Sequence, residues 1–329
     1  MALDRDLDVA VARAALPADR PARGWEPTAA TGVRGLRLLH ESGRFVRFEL
    51  TERDPVGFAV LARNAARYPG AAPVLGDGRH PPVGPPVDYV DLDPYGSPVP
   101  FLPAAVAALA PRGWLAVTAT DLMVLAGAQP HVTERKYGAR PVRGRLGPEA
   151  GLRILIAYVV RCAAERGRSL APRLGYVGGH YLRAYFEAVT TPGPDRSGLV
   201  DPARWDGPDL GARGPFGPLW LGPLLDPALV DRLRVPDPAA RPAEAARLLQ
   251  RWREEARVDA PFYYEANVVA RALRLDRPPP LGELLAALRA AGYGAARTHA
   301  RPEGFRTTAP RREVERIVAA QSQNARVRA

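Results

Sequence analysis

The sequence predicts an α/β fold, a mostly parallel sheet with helices on both faces, followed by a smaller α+β C-terminal domain. Three observations carry this. Apolar strand-like runs alternate with helical patterns through the first 190 residues, as a helix-covered parallel sheet requires. A length of 329 residues suffices for about two domains. A turn-rich break, Thr191-Pro-Gly-Pro-Asp-Arg-Ser-Gly198, separates the regular region from a less regular one. The expected domains are therefore residues 1–192 and 193–329.

The elements follow in order. Asp6 to Leu16 reads as a helix, and the stretch around Trp25 as a poor strand. The glycine-bearing turn Thr28 to Gly35 leads into a helix ending near Glu41. Phe45-Val-Arg-Phe-Glu-Leu50 alternates as a strand does, and Asp54-Pro55 starts a helix that stops near Pro69. Short strands follow at Ala72–Leu75 and from Val87 to Leu92. A helix from Pro100 to Ala110 precedes the strand Trp114–Thr120, and residues 121–147 read as basic and loop-rich. Gly151–Glu165 is an apolar helix, and strands near Leu174–Val177 and Tyr181–Val189 would close the sheet as an antiparallel edge hairpin. Beyond the break, a strand between Gly214 and Gly222 precedes helices at Pro227–Leu233, Arg241–Glu255 and Leu281–Ala291. A hairpin over Thr298–Pro310 leads into a final basic helix.

Composition excludes several classes. With 47% hydrophobic and 25% charged residues the chain is globular rather than disordered. One cysteine, Cys162, rules out an intrachain disulfide or a Cys-based zinc site and fits a reducing compartment. His131, His180 and His299 lack ligand spacing, so no metal is expected. No apolar run approaches the roughly 18 residues of a membrane span. The N-terminus Met1-Ala-Leu-Asp-Arg-Asp-Leu7 carries acids at once and is no signal peptide. The expectation is a soluble, cytoplasmic, monomeric protein. Its 46 basic and 35 acidic residues give a net charge of +11, which suits a polyanion partner. All but one of the basic residues are Arg, a bias that a GC-rich genome explains, so the lone Lys136 draws notice.

In an open α/β sheet, ligands sit at the carboxyl ends of the strands near the switch point. Thr31-Gly32-Val-Arg34-Gly35 would let backbone approach a ligand at a helix N-terminus. Glu52 ends the second strand, where a carboxylate can accept both ribose hydroxyls. Asp77 ends the third, where its carboxylate or the neighbouring Gly78 amide can read an adenine edge. A Gly-x-x-Gly turn alone is commonplace. The Gly-x-Gly-x-x-Gly fingerprint and a Walker lysine are both missing, which counts against NAD and ATP. Acids after two successive strands favour S-adenosyl-L-methionine.

The strongest motif is Asp91-Leu-Asp93-Pro94-Tyr95-Gly96-Ser97-Pro98, after the fourth strand. An exocyclic amine on a planar base is a poor nucleophile because its lone pair is delocalised. A carboxylate accepting an N–H, a carbonyl fixed by proline and an aromatic stacking face together orient such an amine for attack. Asp93, Pro94 and Tyr95 supply the three parts, although an Asp-Pro turn with a packed tyrosine is the structural alternative.

These residues carry a family resemblance. The chain resembles the tRNA (guanine-26-N2)-dimethyltransferases over nearly its whole length. Arg5-Asp6-Leu7 is similar to the family's Asn-Arg-Asp-Leu motif, and Thr31-Gly32-Val33-Arg34-Gly35 to its Ser-Gly-Ile-Arg-Gly turn. Asp91 to Pro98 resembles its Asp-Leu-Asp-Pro-Phe-Gly-Ser-Pro, with Tyr95 in place of Phe. Thr118-Ala-Thr-Asp121, Arg135-Lys136-Tyr137-Gly138, Glu149-Ala-Gly-Leu-Arg153, Gly217-Pro-Leu-Trp-Leu-Gly222 and Arg297-Thr-His299 match further motifs. The resemblance implies a Rossmann-like class I methyltransferase sheet, S-adenosyl-L-methionine as cofactor and tRNA as partner. It implies a pocket lined by Arg5, Gly32, Arg34, Glu52, Asp77 and Gly78, with Arg34 or Arg5 on the methionine carboxylate, and Asp93 as the catalytic carboxylate. Glu52 stands for the usual Asp, and Asp4 for the motif's Asn. Family members carry a further segment before the first motif. This chain begins almost at that motif, so Met1 is either an internal methionine or the segment, with one wall of the site, is absent.

Two Arg-dense stretches are candidate phosphate contacts in the expected tRNA-binding second domain and the loop before it. One holds Arg135, Lys136, Arg140, Arg143 and Arg145; the other includes Arg297, Arg301, Arg306, Arg311 and Arg312. Tyr137, Tyr263 and Tyr264 could stack on bases, with core packing the favoured role. The expected activity is methylation of the guanine N2 amine in tRNA, with dimethylation at position 26. The alternatives are another tRNA or rRNA guanine, or an inactive tRNA-binding relative.

Overall fold

The computed structural model describes residues 2–211 and 214–327; Met1 lies outside them. Five strands run parallel: β1 (Ala22–Glu26), β2 (Phe45–Glu52), β3 (Ala71–Leu75), β4 (Val87–Leu92) and β5 (Leu109–Ala119). β6 (Ser169–Val177) and β7 (Leu182–Val189) form the expected antiparallel hairpin, and β7 pairs with β5. The sheet order is β3-β2-β1-β4-β5-β7-β6. The direction of winding reverses between β1 and β4, so their carboxyl ends flank the switch point. β4 is buried along its whole length, as the central strand of a sheet covered on both faces must be.

The helices of this part are α1 (Ala2–Ala15), α2 (Val33–Glu41), α3 (Pro55–Ala65), α4 (Leu102–Ala108), α5 (Leu122–Leu125), α6 (Pro130–Tyr137) and α7 (Gly147–Ala164). The Asp54 side chain accepts the Gly57 N–H at 2.7 Å and Pro55 opens the first turn of α3, so the expected start signal acts as expected. α4 is shorter than the Pro100–Ala110 pattern suggests because Leu109 already pairs with Val87 in the sheet. Residues 121–147, expected to be loop-rich, contain α5 and α6. Their short apolar content, Val124, Leu125 and Tyr137, becomes legible only once it is buried.

The remainder adds the two-stranded pair β8 (Ser197–Val200) and β9 (Phe216–Trp220), then α8 (Pro227–Val230) and α9 (Pro242–Glu255). β10 (Tyr264–Glu265), α10 (Ala266–Ala272), α11 (Leu281–Ala290), β11 (Ala295–Arg297), β12 (Gly304–Thr307) and α12 (Arg311–Val327) follow. β12 lies between β10 and β11 in a three-stranded antiparallel sheet. One apolar core runs continuously from Leu7 to Tyr263, and a second, built on Leu284, Leu288, Phe305, Val314 and Val318, begins at Tyr264. α7 packs within the first core: Leu152, Ile154, Leu155, Ile156 and Val159 are all buried, each contributing about 1.5–3 kcal/mol. Among the described residues, no helix is long and apolar enough to cross a membrane.

Candidate active site at the carboxyl ends of the parallel strands

The turn after β1 is strapped to the end of β2. Ala29 N–H donates to the Thr51 carbonyl at 2.9 Å, and Ala30 N–H donates to Glu52 Oε2 at 2.8 Å. Glu52 Oε1 accepts the Asp54 N–H at 2.8 Å, so this carboxylate ties the turn to the start of α3. Gly32 stands at the N-terminus of α2 with φ +78°, a conformation that side chains with a Cβ rarely adopt. The loop after β3 closes against the loop after β1: a Cβ on Gly78 would lie 2.0 Å from the Pro27 carbonyl oxygen. Asp77 is turned toward Arg79, whose hydrogen bonds hold its carboxyl down at about 2.

At the switch point lies a buried charge cluster. Arg34 is only 4% exposed; its guanidinium donates to Asp4 at 2.6 Å, to Asp93 at 2.7 Å and to Asp8. Arg183, on β7, donates to Asp8 and Asp91, both at 2.7 Å, and to Thr118 at 2.6 Å. Glu26 ends β1 and accepts the Gly35 N–H at 3.0 Å. Burial, with Asp91 nearby, pushes its carboxyl well above the usual range. Burial likewise lifts Asp8 to about 7 despite Arg183 and Arg34. Arg34 thus meets carboxylates of the chain itself rather than being held out toward a ligand. Arg5, half-buried on α1, keeps a buried Nε without a hydrogen bond; Thr28 Oγ1 and Asp91 Oδ1 also make none, although Asp91 Oδ1 lies 3.9 Å from Arg34 Nε.

The loop after β4 carries Asp93, whose Oδ2 receives Arg34. Tyr95 beside it is 98% exposed, so the packed-tyrosine alternative does not describe it. Gly96 is clasped by Thr120: Gly96 N–H donates to Thr120 Oγ1 at 2.7 Å, and Thr120 N–H returns to the Gly96 carbonyl at 2.9 Å. A carboxylate and a fully presented aromatic ring therefore share one fixed loop at the switch point.

Comparison with known proteins gives this arrangement a family. Residues 82–196 and 210–319 match the family of N2,N2-dimethylguanosine tRNA methyltransferase. The chain belongs to that family. It is 40% identical over 238 residues to the tRNA (guanine(26)-N(2))-dimethyltransferase of Thermococcus kodakarensis, covering 68% of this chain and 62% of that protein, just under two thirds of its length. The enzyme of the same name from Pyrobaculum calidifontis is 34% identical over 305 residues, covering 89% and 82%. Among solved structures, Trm1 from Pyrococcus horikoshii in complex with S-adenosyl-L-methionine superposes with a TM-score of 0.81 at 29% identity, covering 97% of this chain and 93% of that one.

In this member of the dimethylguanosine methyltransferase family, the first basic stretch begins at the end of α6, after β5 and α5. Arg135 and Lys136 lie in the last turn of α6, and Arg140, Arg143 and Arg145 are exposed in the loop after it. Arg140 approaches Glu134 at 3.6 Å, Arg145 binds Glu265 at 2.8 Å, and Arg143 is pinned to the Gly127 and Ala128 carbonyls. Arg297 is half-buried on β11. Arg306 is a correction. Expected on an RNA surface, it is buried and bridges Glu149 at 2.9 Å and Glu255 at 2.6 Å, because β12 packs its side chain against α7 and α9. Tyr137, Tyr263 and Tyr264 are all buried.

Asp4, Asp8, Asp91 and Arg183 escaped assignment. The first two sit one helical turn apart on α1 and share a face, a signal available in Asp4-Arg-Asp-Leu-Asp8. Arg183 is one of two charged residues on β7, with Glu187, and it marks a buried ion pair only if its partners are known. Asp6, from the first motif, accepts the Ala240 and Arg241 N–H groups at 3.0 and 2.7 Å and so receives the start of α9.

Proposed function

We propose that the chain is an S-adenosyl-L-methionine-dependent methyltransferase acting on the exocyclic N2 amine of guanine in tRNA, with dimethylation at position 26. The observation that carries the reading is Asp93 beside the fully exposed Tyr95 at the switch point of the sheet. The cofactor is named for the Pyrococcus horikoshii Trm1 complex, and the substrate for the relatives from Thermococcus and Pyrobaculum.

The residues present fit such a cofactor. A zwitterionic amino-acid end needs a donor and an acceptor, and Arg5 Nε and Asp91 Oδ1, neither of which makes a hydrogen bond, offer one of each. Glu52 would hold ribose hydroxyls through its remaining lone pairs, and Asp77 with the Gly78 amide would face the base. When bound, S-adenosyl-L-methionine supplies an electrophilic methyl group. Arg34 enters this reading as the counter-ion that orients Asp93, with Arg5 as the cation for the carboxylate.

Asp93 does the positioning. Arg34 fixes its Oδ2, leaving Oδ1 to accept an N–H of the guanine amine and to take the proton that the amine loses on alkylation. Tyr95 offers its whole ring face for stacking on the base, which holds the amine in line. Arg135, Lys136, Arg140, Arg143, Arg145 and Arg297 are proposed phosphate contacts. A cytoplasmic, single-chain enzyme completes the reading, and the one buried thiol, Cys162, suits a reducing compartment.

The test is transfer of labelled methyl groups to unmodified tRNA, with the guanine at position 26 replaced in a second transcript. Label in N2-methylated guanine of the first transcript alone is expected. Label in both would move the target to another guanine, and label in neither would favour the inactive relative.

A further inference from the structure

The loop that carries Asp93 and Tyr95 is held by more than its own turn. Ser97 Oγ lies 2.8 Å from the Tyr137 hydroxyl, and that hydroxyl lies 2.9 and 3.0 Å from the two oxygens of Asp121. An ionised carboxylate only accepts, so Tyr137 donates to Asp121 and Ser97 donates to Tyr137. Lys136 Nζ approaches the same carboxylate at 3.6 Å and is 38% exposed. The Tyr137 ring is fully buried, meets Tyr158 edge-on at 5.5 Å, and has its backbone carbonyl held by Arg161 at 2.7 Å. Burial, reinforced by Asp121, pushes the Tyr137 hydroxyl well above its usual range, so it stays a proton donor.

This chain of contacts joins three segments far apart in sequence. The loop after β4, the start of α5 and the last turn of α6 meet through one hydroxyl. The last of these also carries Arg135 and Lys136, where the first basic stretch begins.

We propose that Tyr137 and Asp121 are positioning residues for methyl transfer, locking the Pro94–Ser97 loop to the basic helix α6 so that phosphate contacts and reacting amine are referenced to one rigid unit. The proposal rests on the methyltransferase reading above. Neither residue touches the reacting atoms; both act through Ser97 on the placement of Asp93 and Tyr95. The contribution is geometric, since a displacement of about 1 Å can cost a hundredfold in rate. Lys136 neutralises the carboxylate from its solvent side.

The experiment compares wild type with Tyr137→Phe, Asp121→Ala and Asp121→Asn. Four quantities are read: kcat and KM for tRNA, cofactor affinity by calorimetry, and hydrogen exchange of the peptide over residues 94–99 without cofactor. Tyr137→Phe and Asp121→Ala should lower kcat about 10- to 100-fold with KM and cofactor affinity changed less than about threefold. In both, residues 94–99 should exchange faster while the C-terminal segment does not. Asp121→Asn can still accept from Tyr137 and should recover most of kcat. Unchanged kcat and exchange in Tyr137→Phe would overturn the proposal. So would parallel losses of cofactor affinity and kcat, or equal defects in the Ala and Asn variants. A wild type without methyl transfer would instead defeat the underlying reading, while the exchange data still decide whether the lock exists.

Discussion

The molecule holds two buried ionic networks, and their charge balance differs. At the seam between the two apolar cores, Glu149 and Glu255 face Arg153, Arg306 and His299. Burial pushes both carboxyls up, but the facing cations more than offset it, and both end below their ordinary range. At the switch point, Asp4, Asp8, Asp91 and Asp93 crowd around Arg34 and Arg183 alone. There burial dominates at Asp8 and Glu26, whose carboxyls rise. The balanced network joins two parts of the chain, and the acid-rich one leaves acceptors at the end of the sheet where ligands bind. The balance of charge separates a joint from a site.

Mutations can break that comparison. The largest expected effect is at Asp93→Asn, which keeps a polar group for Arg34 but cannot take a proton: methyl transfer should fall about 10²- to 10⁴-fold, with cofactor and tRNA binding kept in calorimetry. At the seam the loss should be in stability. Arg306→Met takes one cation from each of two buried carboxylates and should cost about 3–5 kcal/mol in denaturant unfolding.

The pH dependence sharpens the contrast because the signs oppose. Glu255, held below its ordinary 4.5, adds stability that is complete above that value and lost as pH falls further. Asp8 binds its proton more tightly folded than unfolded, so its contribution is present at low pH and lost as pH rises from 3.8 through about 7. Thermal melts should show wild type losing ground to Asp8→Asn between about pH 4 and 7, and losing ground to Glu255→Gln only on acidification. The smallest effect belongs to the surface. Arg140→Ala should weaken tRNA binding modestly and reduce the salt slope of the binding constant by about one.

Local chemistry made much of the fold and site legible. The Asp54-Pro55 start signal, the alternation of β2 and the motif after β4 each depend on residues close in sequence, and each stands where it was expected. The turn and Glu52 also came from adjacent residues, although the direct hydrogen bond from Ala30 to Glu52 needed the sheet. α5 and α6 escaped notice because their few apolar residues form no periodic stripe of their own. Arg306 misled for a statistical reason: in a chain this rich in arginine, one more in an Arg-dense stretch reads as surface, although Phe305 and Thr307 beside it are buried too.

Backbone propensity and short-range spacing were enough for the strands of the main sheet and most helices between them, for Glu52 and Asp77 as acids after two strands, and for the Asp93-Pro94-Tyr95 loop. Only the tertiary structure decided which charges are spent on one another. Arg183 meets Asp8 across 175 residues and Arg306 meets Glu149 across 157. Whether a charged side chain faces water, a ligand or a buried partner depends on the packing of distant segments, and no local pattern carries that information.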